Sequence, residues 1–137
     1  MTKLLVLLSA LTLLPFAPSA RPAQDAAQAP PAATTPPDTK NPVKPTAESQ
    51  AKAKKMYTYD CEMCHNANGD GKSDLAKDMS LTLTDLSDPK TLADKSDAAL
   101  FDLIRNGKGK MPPEDAARAK PEDVWNLIIY VRGMAKK

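Results

Sequence analysis

The chain has little of what most binding and catalytic sites are built from. Among 137 residues there is one histidine, His65, and there are two cysteines, Cys61 and Cys64. One histidine excludes a histidine cage. Two cysteines exclude a multi-disulfide framework and a closed four-ligand zinc site, because no second Cys/His pair exists to complete a tetrahedron. Charge of one sign is also missing. The formal net charge is +2 and no basic stripe with interleaved aromatics occurs, which excludes nucleic acid as the partner. Aromatic residues make up only 4%: Phe16, Tyr57, Tyr59, Phe101, Trp125 and Tyr130. A small domain so poor in large side chains struggles to bury enough apolar surface, which leaves a place in the core for a non-protein group. No β-alternation of useful length is present. "LTLTDL" (81–86) alternates, but it is short and runs into "SDP".

What is present falls into three segments. Residues 1–20, "MTKLLVLLSALTLLPFAPSA", carry Lys3, an apolar run from Leu4 to Leu14, then small residues and prolines, the pattern of an export signal. The run is short of the roughly 20 apolar residues that a bilayer span needs. Cleavage after Ser19 or Ala20 and retention as an N-terminal anchor are both open, and in either case the remainder leaves the cytoplasm. No cysteine lies near this region to take a lipid. Residues 21–46 hold seven of the thirteen prolines and no large apolar residue except Val43. Such a stretch cannot bury a core and is expected to be an unfolded or polyproline-like spacer, reaching at most about 3 Å per residue. The domain is expected at 47–137.

Within it the periodicity predicts three helices. Thr46 can cap one over "AESQAKAKKMYTYD", with Glu48 in its first turn and Ala53, Met56 and Tyr57 on one face. Ser96 can cap a second, "SDAALFDLIRNG", with Leu100, Leu103 and Ile104 as its apolar stripe and Gly107 at its end. Pro121 suits the first position of a third, "PEDVWNLIIYVRGMAKK", whose Arg132, Lys136 and Lys137 complement its C-terminal end.

Both cysteines and the histidine sit together in "CEMCHNANGDG" (61–71), directly after the first helix. A thioredoxin-type dithiol needs a βαβ setting that is absent. A Cys61–Cys64 disulfide closes a tiny loop, stabilises little and leaves His65 without a role. One reading accounts for all three residues. C-x-x-C-H is the attachment signal for c-type haem, in which two thiols one helical turn apart form thioethers with the haem vinyls and the next residue, His65, ligates the iron. Export agrees, since in bacteria this attachment is completed outside the cytoplasm. The sixth iron position cannot go to a second histidine, so a methionine is its natural occupant. Of the six, Met1 lies in the signal, Met63 inside the attachment loop, Met56 on the first helix and Met134 in the last turn of the third. Met111, in "RNGKGKMPPED", is framed by glycines that allow close backbone approach and by Pro112 and Pro113, which stiffen the chain. Met79 has no such framing and remains the lesser candidate.

From about Gln50 to Ala135 the chain resembles a class I mono-haem c-type cytochrome of bacterial type. The carrying motifs are "YTYDCEMCHNANGDG", "LFDLIRNGKGKMPP" and "VWNLIIYVR", with Ala53, Tyr57, Leu127 and Tyr130 at positions where the family's terminal helices cross. The resemblance implies an all-α small cytochrome c fold, three to five helices around one covalently attached haem. It implies a periplasmic one-electron carrier and not an enzyme, with His65 and Met111 as axial ligands and Cys61 and Cys64 as thioether donors. Its partners would be redox proteins, such as a membrane-bound dehydrogenase or oxidase with an acidic docking surface. Neither nucleic acid nor a small-molecule substrate is implied. The rival reading is a haem enzyme or gas sensor with an open sixth position. There is one departure from the family pattern. Residues 72–88 contain no proline, whereas the family often offers a proline carbonyl from this stretch to the proximal histidine ring. Arg105, Lys108, Lys110, Arg118 and Lys120 gather around Met111 in sequence and are either ordinary solvated charges or a basic rim that steers partners.

Overall fold

The computed structural model describes residues 40–135; the expected export signal, most of the expected spacer, and Lys136 and Lys137 lie outside the described residues. Those residues form five α-helices and no strand: α1 Ala47–Asp60, α2 Glu62–His65, α3 Asp74–Asp78, α4 Asp97–Asn106 and α5 Pro121–Met134. Three of the helix starts were readable as caps. The Thr46 hydroxyl accepts from Ser49 N at 3.1 Å, and Ser49 Oγ accepts from Thr46 N in return. The Ser96 side chain accepts from Ala99 N. Pro121 opens α5, where Asp123 Oδ2 accepts from Lys120 N.

α1 and α5 pack against each other and carry the floor of the domain. Ala53 and Tyr57 of α1 and Leu127 of α5 are buried, and the Tyr57 and Tyr130 rings lie 5.6 Å apart, tilted. Near the start of α1 the buried Asn126 is satisfied on all sides: its Oδ1 accepts from Ser49 Oγ and Gln50 Nε2, and its Nδ2 donates to Glu122 O. α4 packs on the other side of α5, where Phe101 stacks on Trp125 with centroids 4.4 Å apart. Arg132 fastens the preceding loop, donating to Asp97 Oδ1, Leu92 O and Lys95 O.

The end of the expected spacer behaves differently from a spacer. Asn41 Nδ2 donates to Trp125 O at 2.9 Å, and Val43 packs on the cluster around Phe101 and Trp125. A side-chain amide that caps a helix carbonyl and one apolar residue suffice to dock this segment, which composition alone cannot reveal. Of the two short helices, α2 is the helical turn expected at the cysteine pair, and α3 went unpredicted. At four and five residues they are too brief to show a period.

Candidate functional site

α1 ends at Asp60, and the chain turns at once into α2. His65 N donates to Cys61 O at 2.8 Å and Asn66 N to Glu62 O at 2.8 Å, one tight turn that holds the attachment motif. As a result Cys61, Cys64 and His65 all line one cavity of about 240 Å³. Its remaining wall is mostly apolar: Leu81, Leu83 and Leu86 from the segment before α4, Leu103 and Ile104 from α4, Leu127 and Val131 from α5. The "LTLTDL" alternation, too short to be a strand, is therefore an extended wall. Leu81 and Leu83 are partly buried there while Thr82 and Thr84 are exposed, although Thr84 also lines the cavity.

Neither thiol is bonded to the other. Burial, helped by the carboxylates of Asp60 and Glu114, pushes the Cys61 thiol up to about 12, so it stays protonated and is unsuited to thiolate redox exchange or metal capture. Burial also lowers the His65 pKa, keeping its imidazole neutral and able to donate a lone pair. Its Nδ1 is buried with no hydrogen-bond partner among the described residues. The missing proline of 72–88 is thus not replaced by another acceptor. The chain around the histidine is held through its backbone: Gly71 N donates to His65 O at 2.9 Å, and the buried Tyr57 hydroxyl donates to Asn66 O at 2.7 Å. The asparagine loop that follows closes on Asp70, whose carboxylate accepts from Asn66 Nδ2, Asn68 Nδ2 and Lys72 N.

Met111 lines the same cavity, alone among the described methionines. Lys108 and Met111 exchange both backbone hydrogen bonds at 3.0 Å, forming a closed turn. Gly107 makes that turn possible. Its φ is +68, and a Cβ there would stand 2.4 Å from Met111 O and 2.8 Å from Pro113 N. Met79 is 47% exposed and off the cavity wall. Met134 is buried in the core beside Gly69, Met56 packs between the core clusters, and Met63 points to solvent. The cations around Met111 divide. Arg105, half-buried, donates to the carbonyls of Glu114 and Ala119, and Arg118, although exposed, is paired with Asp60 and Glu114. Lys108 and Lys110 remain exposed.

Residues 48–131 match the family model described as cytochrome c oxidase, cbb3-type, subunit III. The chain belongs to this family of c-type cytochrome domains. Its fold is the small all-α cytochrome c fold. It resembles the solved c-type cytochrome KustC0563, with 27% identity and a TM-score of 0.51 over 60% of this chain and 95% of that one. A chain of the Kuenenia stuttgartiensis reducing HAO-like protein complex Kustc0457/Kustc0458 shares the fold, at 24% identity and a TM-score of 0.55; the match spans 68% of this chain and 46% of that one. No curated protein matches. The family implies haem c as cofactor and haem-based electron transfer as activity. The donor set of this cytochrome fits that group: two thiols one turn apart, a neutral imidazole and a thioether, all on one largely apolar cavity.

Proposed function

We propose that this c-type cytochrome is a one-electron carrier, not an enzyme, that holds a single covalent haem between His65 and Met111 and works outside the cytoplasm. The observation that carries the reading is the convergence of Cys61, Cys64, His65 and Met111 on one cavity. The haem supplies an iron that alternates between Fe(II) and Fe(III). Everything else is the work of the chain. Cys61 and Cys64 would each add S–H across a vinyl group, fixing the ring to α2 without any oxidant. His65 and Met111 would occupy both axial positions, which leaves no place for substrate or oxygen. A neutral thioether and an apolar wall both disfavour the extra positive charge of the ferric state, and so favour the reduced form. The apolar wall also excludes water from the ligand sulfur.

The enzyme or gas-sensor reading needs an open sixth position and a distal acid–base group. With the only histidine on the proximal side, no distal imidazole is available. The N-terminal twenty residues support export to the periplasm, with residues 21–40 as a tether if the signal is retained. Lys108 and Lys110, exposed on the turn that carries Met111, support docking to a redox protein with an acidic surface.

Protein matured in an export-competent host should keep its haem through acid–acetone extraction, and Cys61→Ala/Cys64→Ala should release it. The ferric protein should show the weak thioether-to-iron band at the red end of the visible spectrum. Met111→Ala should abolish that band, lower the potential and admit carbon monoxide, while Met79→Ala should change none of these. A wild type that binds carbon monoxide readily and turns over peroxide would hand the site to the enzyme or sensor reading.

A further inference from the structure

Five charged residues on the cavity wall are not part of the ligand set: Asp60, Lys95, Lys110, Glu114 and Arg118, of which Asp60, Glu114 and Arg118 bond to one another. Asp60 immediately precedes Cys61, and Glu114 stands three residues beyond Met111. One guanidinium nitrogen, Arg118 Nη2, donates to Asp60 Oδ1 at 2.9 Å and to Glu114 Oε1 at 2.9 Å. The Glu114 side chain is only 9% exposed. Burial and the neighbouring Asp60 charge both raise its pKa, against the pull of Arg118 and Arg105. A carboxylate in such a place is costly unless it is paired, so its position calls for a reason.

The backbone of Glu114 supplies one. Its N–H donates to Ile104 O at 2.8 Å, and its carbonyl accepts from Arg105 Nη1 at 3.3 Å, both on α4. Its carboxylate meanwhile reaches α1 through Arg118. The segment from Met111 to Glu114 is therefore fixed at both ends: at the near end by Gly107 and the Lys108–Met111 turn, at the far end by Glu114 between α4 and α1. The bridge joins the residue beside one haem-attachment thiol to the stretch that carries the distal sulfur, across 58 positions of sequence.

Resting on the His65/Met111 reading, we propose that Arg118 and Glu114 are positioning residues: anchored on Asp60, they latch the Met111 segment shut over the haem edge. The sulfur then stays on the iron through both oxidation states, and solvent and foreign ligands are kept out. When the latch is released, Met111 should leave the ferric iron more often, although the residue itself is untouched.

The test compares wild type, Arg118→Ala, Arg118→Lys, Asp60→Asn, and the double variant Arg118→Ala/Asp60→Asn, all as haem-loaded protein, with Lys77→Ala as a surface control. Two readouts report the latch: the affinity of the ferric protein for added imidazole, and the pH at which the thioether band disappears. The midpoint of global urea unfolding is measured beside them. Arg118→Ala should bind imidazole about two- to fivefold more tightly, the scale expected for pairs partly open to solvent, and should lose the band at lower pH. Arg118→Lys, which can reach one carboxylate, should fall between. Asp60→Asn should weaken the latch in the wild-type background and add little in the Arg118→Ala background, because both act through one guanidinium. Unchanged imidazole affinity in Arg118→Ala, or a change fully matched by a drop in the urea midpoint, overturns the latch. Should Arg118→Ala fail to fold, Arg118→Lys and Asp60→Asn carry the same two readouts. A wild type without haem or without the thioether band would instead overturn the ligand reading itself.

Discussion

At the scale of single residues, the proposed site could be read because covalent haem attachment, where it occurs, constrains spacing so tightly. Two thiols and an imidazole within five residues have one common use, and the exclusion of every other histidine narrows the sixth ligand to a methionine. The glycines and prolines around Met111 favoured it over Met79 as the proposed ligand, and the structure has Met111 on the cavity wall and Met79 away from it. Partners far away in sequence were not legible: nothing in the order of residues says that Asp60 and Arg118 meet. Asp70, by contrast, finds its partners within four residues. Its carboxylate accepts from Lys72 N, Asn66 Nδ2 and Asn68 Nδ2, which hold its pKa below the ordinary 3.8. The unfolded chain then binds the proton more readily than the folded one. The stabilisation is present above pH 3.8 and is lost as pH falls through the lower folded value. Asp70→Asn should therefore lose less stability than wild type between pH 6 and pH 3, with urea midpoints at the two pH values as the measure. Equal losses would mean that the loop after His65 does not depend on this carboxylate.

At the scale of elements, what was readable was what caps and periods report. Thr46, Ser96 and Pro121 announced their helices, and α1, α4 and α5 run where those signals placed them. α2 was legible only through its cysteine spacing, α3 was hidden by brevity, and the extended wall at 81–86 by its resemblance to a failed strand. Its alternation was real, but it answers to a cavity and not to a sheet. The contact between α1 and α5 matters most, because these helices bring Tyr57 and Leu127 to the cavity. Ala53 is 2% exposed there, and its small side chain allows the two backbones to approach. Ala53→Leu adds volume to a packed crossing and should cost about 1–3 kcal/mol. The loss should appear as a lower urea midpoint with an unchanged slope, in protein that still carries haem and still shows the thioether band. If the variant instead loses the band before it unfolds, the crossing sets the site and not merely the stability.

At the scale of the whole molecule, charge is arranged more sharply than the net +2 suggests. Residues 60–102 carry ten acidic groups against four lysines, and a cluster of cations follows around Met111. The structure thins that cluster. Arg105 is bound to backbone carbonyls, and the exposed Arg118 is paired with Asp60 and Glu114, so that its charge is offset locally. Lys108 and Lys110 are the exposed cations on the turn that carries Met111, and Lys110 also borders the cavity. If electrons leave by this edge, these two ammonium groups are the ones an acidic partner meets. Replacing both with glutamate changes the local charge by four without touching Gly107, Met111 or the bridge through Arg118. The potential and the thioether band should then stay as in wild type, while electron transfer to an acidic redox protein slows at low salt. The difference should shrink toward physiological ionic strength, where exposed charges more than about 8 Å apart are largely screened. Stopped-flow transfer rates across a salt series measure this directly. Equal rates at low salt would remove Lys108 and Lys110 from docking and leave them as ordinary solvated charges. A loss that persists unchanged at high salt would show that the substitutions had disturbed the Met111 turn.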